Sequence, residues 1–221
     1  EKNYQIPSNL DKDYGIIYNL DTIGYSSQKA LPIFAVQLSD YANIDEDEVK
    51  VLILGQCHAE EIYGVEISMA LIEMFLDPSL LGDSGYEYLP DPSEINSIIL
   101  RSILSKVEIW VVPTHNPEGL RVVHGNEENG IWIQDESYRK NKTDVNENGI
   151  FDFSAFHENG GISGEDLDGV DLNRNYGLNW EGGDDKYIPH PSGCSDNPNY
   201  SSNYDYYRGS GPFSETETQA I

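Results

Sequence analysis

Long apolar runs are missing from this chain. No stretch approaches the ~20 residues that cross a bilayer, so no membrane partner is expected. Basic residues are scarce, with 13 Lys and Arg against 39 Asp and Glu and a formal net charge of −26. A field of that sign repels nucleic acid and anionic lipid surfaces, which argues for no nucleic acid partner, and it attracts cations and basic ligands. Cysteine is nearly absent: Cys57 and Cys194 allow one bridge at most, too few for a disulfide framework. The opening EKNYQIPSNLDKDYG lacks the basic-then-apolar pattern of a signal peptide and reads as a mature or trimmed start.

What is present suits a folded protein. Hydrophobic residues make up 38% of the 221, with 15 Tyr, 6 Phe and 3 Trp, which suits one large domain over 1–221 with a substantial core. Residues 1–30 are polar and turn-rich. Residues 31–39 read as a strand, and the acidic IDEDE at 44–48 as a turn before a buried strand at 51–54, VLIL. A helix follows over 61–76 with Ile62, Val65, Met69, Ile72 and Phe75 on one face. Residues 77–92 form a loop, and Ser93 caps a helix over 93–106 with Ile95, Ile98, Ile99 and Ile103 on its apolar face. Val107–Val112 is a second buried strand ended by Pro113. This order predicts an α/β fold with a mixed, largely parallel twisted sheet flanked by helices. From 113 to 212 apolar runs shorten and Gly, Asn, Asp, Ser and Tyr dominate, the texture of functional loops. Near the end, Ser214-Glu215-Thr216-Glu217 opens another capped helix.

At the junction of the first buried strand and its helix stand His58 and Glu61. An imidazole and a carboxylate three residues apart at a helix start can converge on one point, and both are zinc ligand types. A pair like this by itself is more often the solvated end of a helix than a metal site. Three further segments accompany it: Tyr138-Arg139-Lys140-Asn141, Gly169 to Asn175 (GVDLNRN), and Pro212 to Glu217. Arginine suits bidentate carboxylate recognition and a developing oxyanion, so two arginines beside a zinc pair suit cleavage next to a free C-terminal carboxylate.

GQCHAEE (55–61), VPTHNPEG (112–119), YRKN (138–141), GVDLNRN (169–175) and YRGSGPFSETET (207–218), in this order, resemble the zinc metallocarboxypeptidases of the carboxypeptidase A type. The likeness runs from about residue 20 to the end, and the long acidic insert after YRKN is most similar to secreted bacterial members, which implies an extracellular location. The resemblance implies His58 and Glu61 as zinc ligands and Asp171 as the acceptor that fixes the His58 tautomer. It implies Arg139 on the scissile carbonyl and its oxyanion, and Asn173 and Arg174 on the substrate's terminal carboxylate. The partners it implies are peptide or protein C-termini.

Two departures stand beside it. The family's third zinc histidine, catalytic glutamate and substrate tyrosine lie beyond the segment like FSETET, and His115, His124, His157 and His190 match none of their contexts. The chain is therefore expected to be the N-terminal portion of the fold, truncated before its last strands and helices, inactive alone, and completed by a C-terminal remainder of the same protein. Glu60 stands where members often carry an arginine, which would turn that subsite towards basic substrates.

The acidic insert carries its own signal. Asp144, Asn146, Asn148 and Asp152 offer oxygens at positions 1, 3, 5 and 9 of a calcium loop, Gly149 sits at 6 and Ile150 supplies a carbonyl at 7. Position 12 is Ala155 instead of an acid, so the loop is incomplete, with Asp166 or Asp168 able to supply the carboxylate; the rival is a solvated Asn/Asp turn. The reading is a zinc-dependent exopeptidase domain with Zn²⁺ and a structural Ca²⁺. Its alternatives are a non-catalytic peptide-binding module and a calcium-stabilised extracellular structural protein.

Overall fold

Runs of seven or eight residues rich in Val, Ile and Tyr build a four-stranded sheet in the computed structural model, which describes residues 17–77, 92–128, 130–145, 147, 149, 151, 168–178, 180 and 207–221. Its strands are β1 (Tyr18–Tyr25), β2 (Pro32–Leu38), β3 (Val49–Gln56) and β4 (Val107–Thr114), ordered β1-β2-β4-β3. β2 and β4 run antiparallel, with Val36 opposite Val111 and Leu38 opposite Ile109. Two helices, α1 (Tyr63–Leu76) and α2 (Pro92–Leu104), join β3 to β4 and make this a mixed sheet flanked by helices.

The chain forms two compact units. One comprises Glu1–Thr22, Phe34–Gly55 and Tyr63–Pro113. Its core is Leu38, Ile72, Phe75, Leu100, Leu104, Ile109 and Val111, with Ile53 packed against it. Here several expectations need correcting. β1 lies in the stretch expected to be turns; along YNLDTIGY exposed and half-buried positions alternate up to Ile23, as in a half-exposed strand. β3 is not a buried strand. It ends the sheet order, and Val49 and Leu52 are 66% and 52% exposed. α1 buries Ser68, Ile72 and Phe75 and leaves Met69 exposed; Ile62 precedes the helix and is exposed too. α2 buries Leu100 and Leu104, while Ile98, Ile99 and Ile103 face outward; the side chain of Ile95 lies outside the described residues. α2 starts at Pro92, so Ser93 falls inside its first turn instead of capping it, and proline needs no amide partner there. β4 continues through Pro113 to Thr114.

At Gly55 the end of β3 passes close to α1. A Cβ there would meet the Pro113 carbonyl oxygen, Ser68 Oγ at 2.6 Å and the Gly64 oxygen at 2.8 Å, so only glycine fits.

The other unit comprises Ile23–Ile33, Gln56–Ile62 and Thr114–Ile221. It contains α3 (Pro117–His124), the hairpin β5 (Asn126–Glu128) and β6 (Ile131–Ile133), a 3₁₀ turn at Leu172–Arg174 and α4 (Thr216–Gln219). Ala59, Val122, Val123, Ile133 and Tyr138 form its apolar core. Much of the rest is polar. Glu118 Oε1 accepts from Ser26 Oγ and from the amides of Gln28 and Lys29, and Glu217 Oε1 accepts from the Ser27 amide at 3.1 Å. Asn175, fully buried, donates to the carbonyls of Arg208 and Gly211 and accepts from the Glu215 amide and Thr218 Oγ1. α4 is capped at Glu215 with no side-chain bond; the expected cap Ser214 donates to Glu215 Oε1 instead. Among the described residues no helix is long and apolar enough to cross a membrane.

Candidate metal centre

The segment after β3 turns sharply, and buried amides hold it. Gln56 Nε2 donates to the Ala59 carbonyl at 2.8 Å, and Gln56 Oε1 accepts from Thr114 Oγ1. Asn116 Nδ2 donates to the carbonyls of Cys57 at 3.0 Å and Lys140 at 3.1 Å, while its Oδ1 caps α3 through the Gly119 amide. The Ala59 amide donates to the Arg139 carbonyl at 3.0 Å. Residues 57–60 are thereby tied to 139–140. Sequence reasoning missed both amides; the signal for Asn116 was an Asn directly before a helix-opening Pro117.

His58 sits between two carboxylates. Its Nδ1 lies 2.9 Å from Glu61 Oε1, and its Nε2 lies 3.1 Å from Asp171 Oδ1. The ring is 6% exposed and Asp171 is fully buried. Burial alone would lower the histidine's pKa, but hydrogen bonds to Asp171 and Glu61 outweigh it and raise it. Asp171 moves the other way: burial would raise it, yet His58 and Arg139 hold it below the usual carboxylate value. Asp171 Oδ1 also accepts from the Asn173 amide at 3.0 Å and so starts the 3₁₀ turn.

Arg139 closes the cluster. Its Nε donates to Asp171 Oδ2 at 3.0 Å, Nη1 lies 3.4 Å from Glu60 Oε1, and Nη2 lies 2.8 Å from His58 Nε2. Two partners therefore meet at Nε2, and the tautomer decides between them. With the proton on Nδ1, that nitrogen donates to Glu61 and Nε2 accepts from Arg139. With the proton on Nε2, it donates to Asp171, and Nδ1 presents a lone pair towards Glu61.

The second tautomer fits zinc. It offers one imidazole nitrogen and one carboxylate oxygen on the same side, and Asp171 behind the ring is the partner a metal histidine needs. Bonds of about 2.1 Å at a tetrahedral metal place neighbouring ligands about 3.4 Å apart. Glu61 is 57% exposed at its side chain, so no packing opposes a shift from 2.9 Å towards that spacing.

Asn173 and Arg174 lie in the 3₁₀ turn directly after Asp171. Asn173 is exposed, and Arg174 Nη1 donates to the Asn173 carbonyl at 3.1 Å. His115 is 1% exposed and neither ring nitrogen has a hydrogen-bond partner. It does not converge with His58 and Glu61: among the described residues the one group of three metal-type side chains is Asp40, Glu46 and Glu48. His124 is exposed; His157 and His190 lie outside the described residues. Burial pushes the Cys57 thiol up to about 12, so it stays protonated and unreactive, and Cys194 lies outside the described residues. Of the calcium-loop residues, Asp144 Oδ2 accepts from the Gly149 amide at 2.7 Å, with Gly149 at φ +80°. Asn146, Asn148, Ile150 and Asp152 lie outside the described residues, as do Ala155 and Asp166.

A family model described as zinc carboxypeptidase matches residues 4–221. A protein of Saccharothrix mutabilis subsp. capreolus described as a zinc carboxypeptidase is 28% identical over 108 residues, 49% of this chain and 21% of the relative. Two solved structures share the fold. Thrombin activatable fibrinolysis inhibitor has a TM-score of 0.53 at 17% identity, over 92% of this chain and 37% of its own. Carboxypeptidase A from Helicoverpa armigera has a TM-score of 0.51 at 20% identity, over 93% and 36%. The chain spans about a fifth of the length of the curated relative and little more than a third of the solved ones. With a family model matching almost every residue and GQCHAEE delivering His58 and Glu61 to one point, the chain belongs to the zinc carboxypeptidases.

Proposed function

We propose that this chain forms the metal-holding and carboxylate-recognising part of an exopeptidase that releases C-terminal amino acids from peptides. The observation that carries the reading is His58, with Asp171 at Nε2 and Glu61 at Nδ1. His58 and Glu61 hold zinc, which when bound supplies a Lewis acid and an activated water. Asp171 accepts the Nε2 proton and keeps Nδ1 free for the metal.

Arg139 is held through Nε on Asp171 Oδ2, beside the His58 ring. Its guanidinium hydrogen-bonds the carbonyl oxygen of the scissile bond. Asn173 and Arg174, carried three residues or fewer from Asp171, take the terminal carboxylate. The chain alone does not turn over substrate; a further segment of the same protein supplies a third metal ligand and a general base.

The test is binding. Zinc-loaded chain takes a peptide with a free C-terminal carboxylate at least about tenfold more tightly than its C-terminal amide, and Arg174→Ala removes the difference. Equal binding of acid and amide contradicts the reading. The insert's role is structural: calcium raises its protection from proteolysis, an effect that Asp144→Asn weakens. A secreted, extracellular location belongs to the same proposal.

A further inference from the structure

We propose that Glu60 is a specificity residue which receives a cationic nitrogen of the substrate, either a free α-ammonium or the side chain of a Lys or Arg close to the scissile bond. The inference rests on the carboxypeptidase reading above.

Glu60 stands between His58 and Glu61 in sequence, on the turn that carries both. Its side chain is 29% exposed. An ionised carboxylate has about four lone-pair positions to fill. Here Oε1 lies 3.4 Å from Arg139 Nη1, the residue's own backbone amide adds a local interaction, and Oε2 is shielded from water with no hydrogen-bond partner. A sheltered carboxylate oxygen without a donor is costly, and charged nitrogen donors satisfy it best.

Among the described residues none donates to Oε2. Arg139 already spends its Nε on Asp171 Oδ2 and sets Nη2 against His58. The sequence has 13 Lys and Arg for 39 Asp and Glu, so spare cations are rare. A cationic ligand would supply the missing donor. The last torsion of a glutamate is broad and roughly two-fold, so turning Oε2 towards the exposed side costs little. A neutral amide N–H would fill the same position with a weaker bond.

The experiment uses zinc-loaded chain and three peptides with free C-terminal carboxylates: acetyl-Ala-Ala-Ala, Ala-Ala-Ala and acetyl-Ala-Lys-Ala, titrated by calorimetry. At least one cationic peptide binds about tenfold more tightly than the neutral one. Which one does so identifies the α-ammonium or the side chain as the source. In Glu60→Gln, checked for an unchanged circular dichroism spectrum, the ratio between cationic and neutral peptides falls to about one. Independently of any variant, the wild-type ratio shrinks as salt rises from low to 0.5 M. Equal binding of all three peptides overturns the inference and leaves the carboxypeptidase reading standing, as does a ratio unmoved by Glu60→Gln. No binding of any peptide by zinc-loaded chain contradicts that reading, and this inference with it.

Discussion

Nε2 of His58 stands 3.1 Å from Oδ1 of Asp171, a contact between residues 113 positions apart. It joins the turn after β3 to the 3₁₀ turn that holds Asn173 and Arg174, so one hydrogen bond aligns the proposed metal side of the site with its proposed carboxylate side. Asp171→Asn keeps the volume but no longer accepts the ring proton through a charged oxygen. Zinc affinity should fall about 10- to 100-fold, read by competition with a chelating dye. An unchanged affinity would separate Asp171 from the metal histidine.

Two histidines give this protein opposite responses to pH. Burial holds His115 down at about 4, whereas an unfolded histidine titrates near 6.5. Between those values the unfolded chain binds the extra proton, so the stability from keeping His115 neutral is full above about 6.5 and lost as pH falls to about 4. The loss amounts to about 3 kcal/mol. In urea titrations at pH 7 and pH 4.5, His115→Leu should lose less stability on acidification than the wild type.

The pKa of His58 is raised, so protons compete for it at a higher pH than for an ordinary histidine. Metal requires the neutral ring. Zinc release on acidification should therefore begin at a higher pH than at a histidine without carboxylate neighbours. In metal-free protein the sign reverses: the ion pairs of His58 stabilise below the unfolded value and fade as pH rises through the raised one. Release at the pH of a free imidazole–zinc complex would contradict the first statement.

Gly55→Ala tests the close packing of β3 and α1. The added methyl meets Ser68 Oγ at 2.6 Å and backbone oxygens on either side, so the backbone has to move. A cost of about 1–3 kcal/mol is expected in a thermal melt.

Asn175→Ala tests the polar core. The buried amide serves the carbonyls of Arg208 and Gly211, Ser214 Oγ, the Glu215 amide and Thr218 Oγ1. Its loss strands several buried groups. About 2–4 kcal/mol should disappear, with exchange of the 207–219 amides rising before that of β4.

What the sequence made legible was short and contiguous. GQCHAEE brings His58 and Glu61 to the strand end, and Asp171 follows Val170 within GVDLNRN. Spacing suggested that His58 and Glu61 could converge, whereas the role of Asp171 came from the resemblance to the zinc metallocarboxypeptidases. The burial of β3, α1 and α2 was misread because apolar residues occur on more than one face. In α2, Ile98, Ile99 and Ile103 fit the helical period as well as Leu100 and Leu104 do, and only packing onto Ile109 and Val111 selects the leucines. Periodicity has no term for which side a sheet lies on. Arg139 shows the same limit: its identity was readable, but its anchoring on Asp171, 32 residues away, is a tertiary contact. Asn175 was visible beside Arg174 and went unassigned, because its five partners come from a segment more than thirty residues on.

The most direct test of the central claim is zinc binding by the chain and its His58→Ala variant, measured by dye competition at pH 7.5 with stoichiometry from metal analysis. The account predicts one zinc per wild-type chain at this site and its loss in His58→Ala, with Glu61→Ala weakening it as well. Zinc bound equally by wild type and His58→Ala would place the metal elsewhere and contradict the site described.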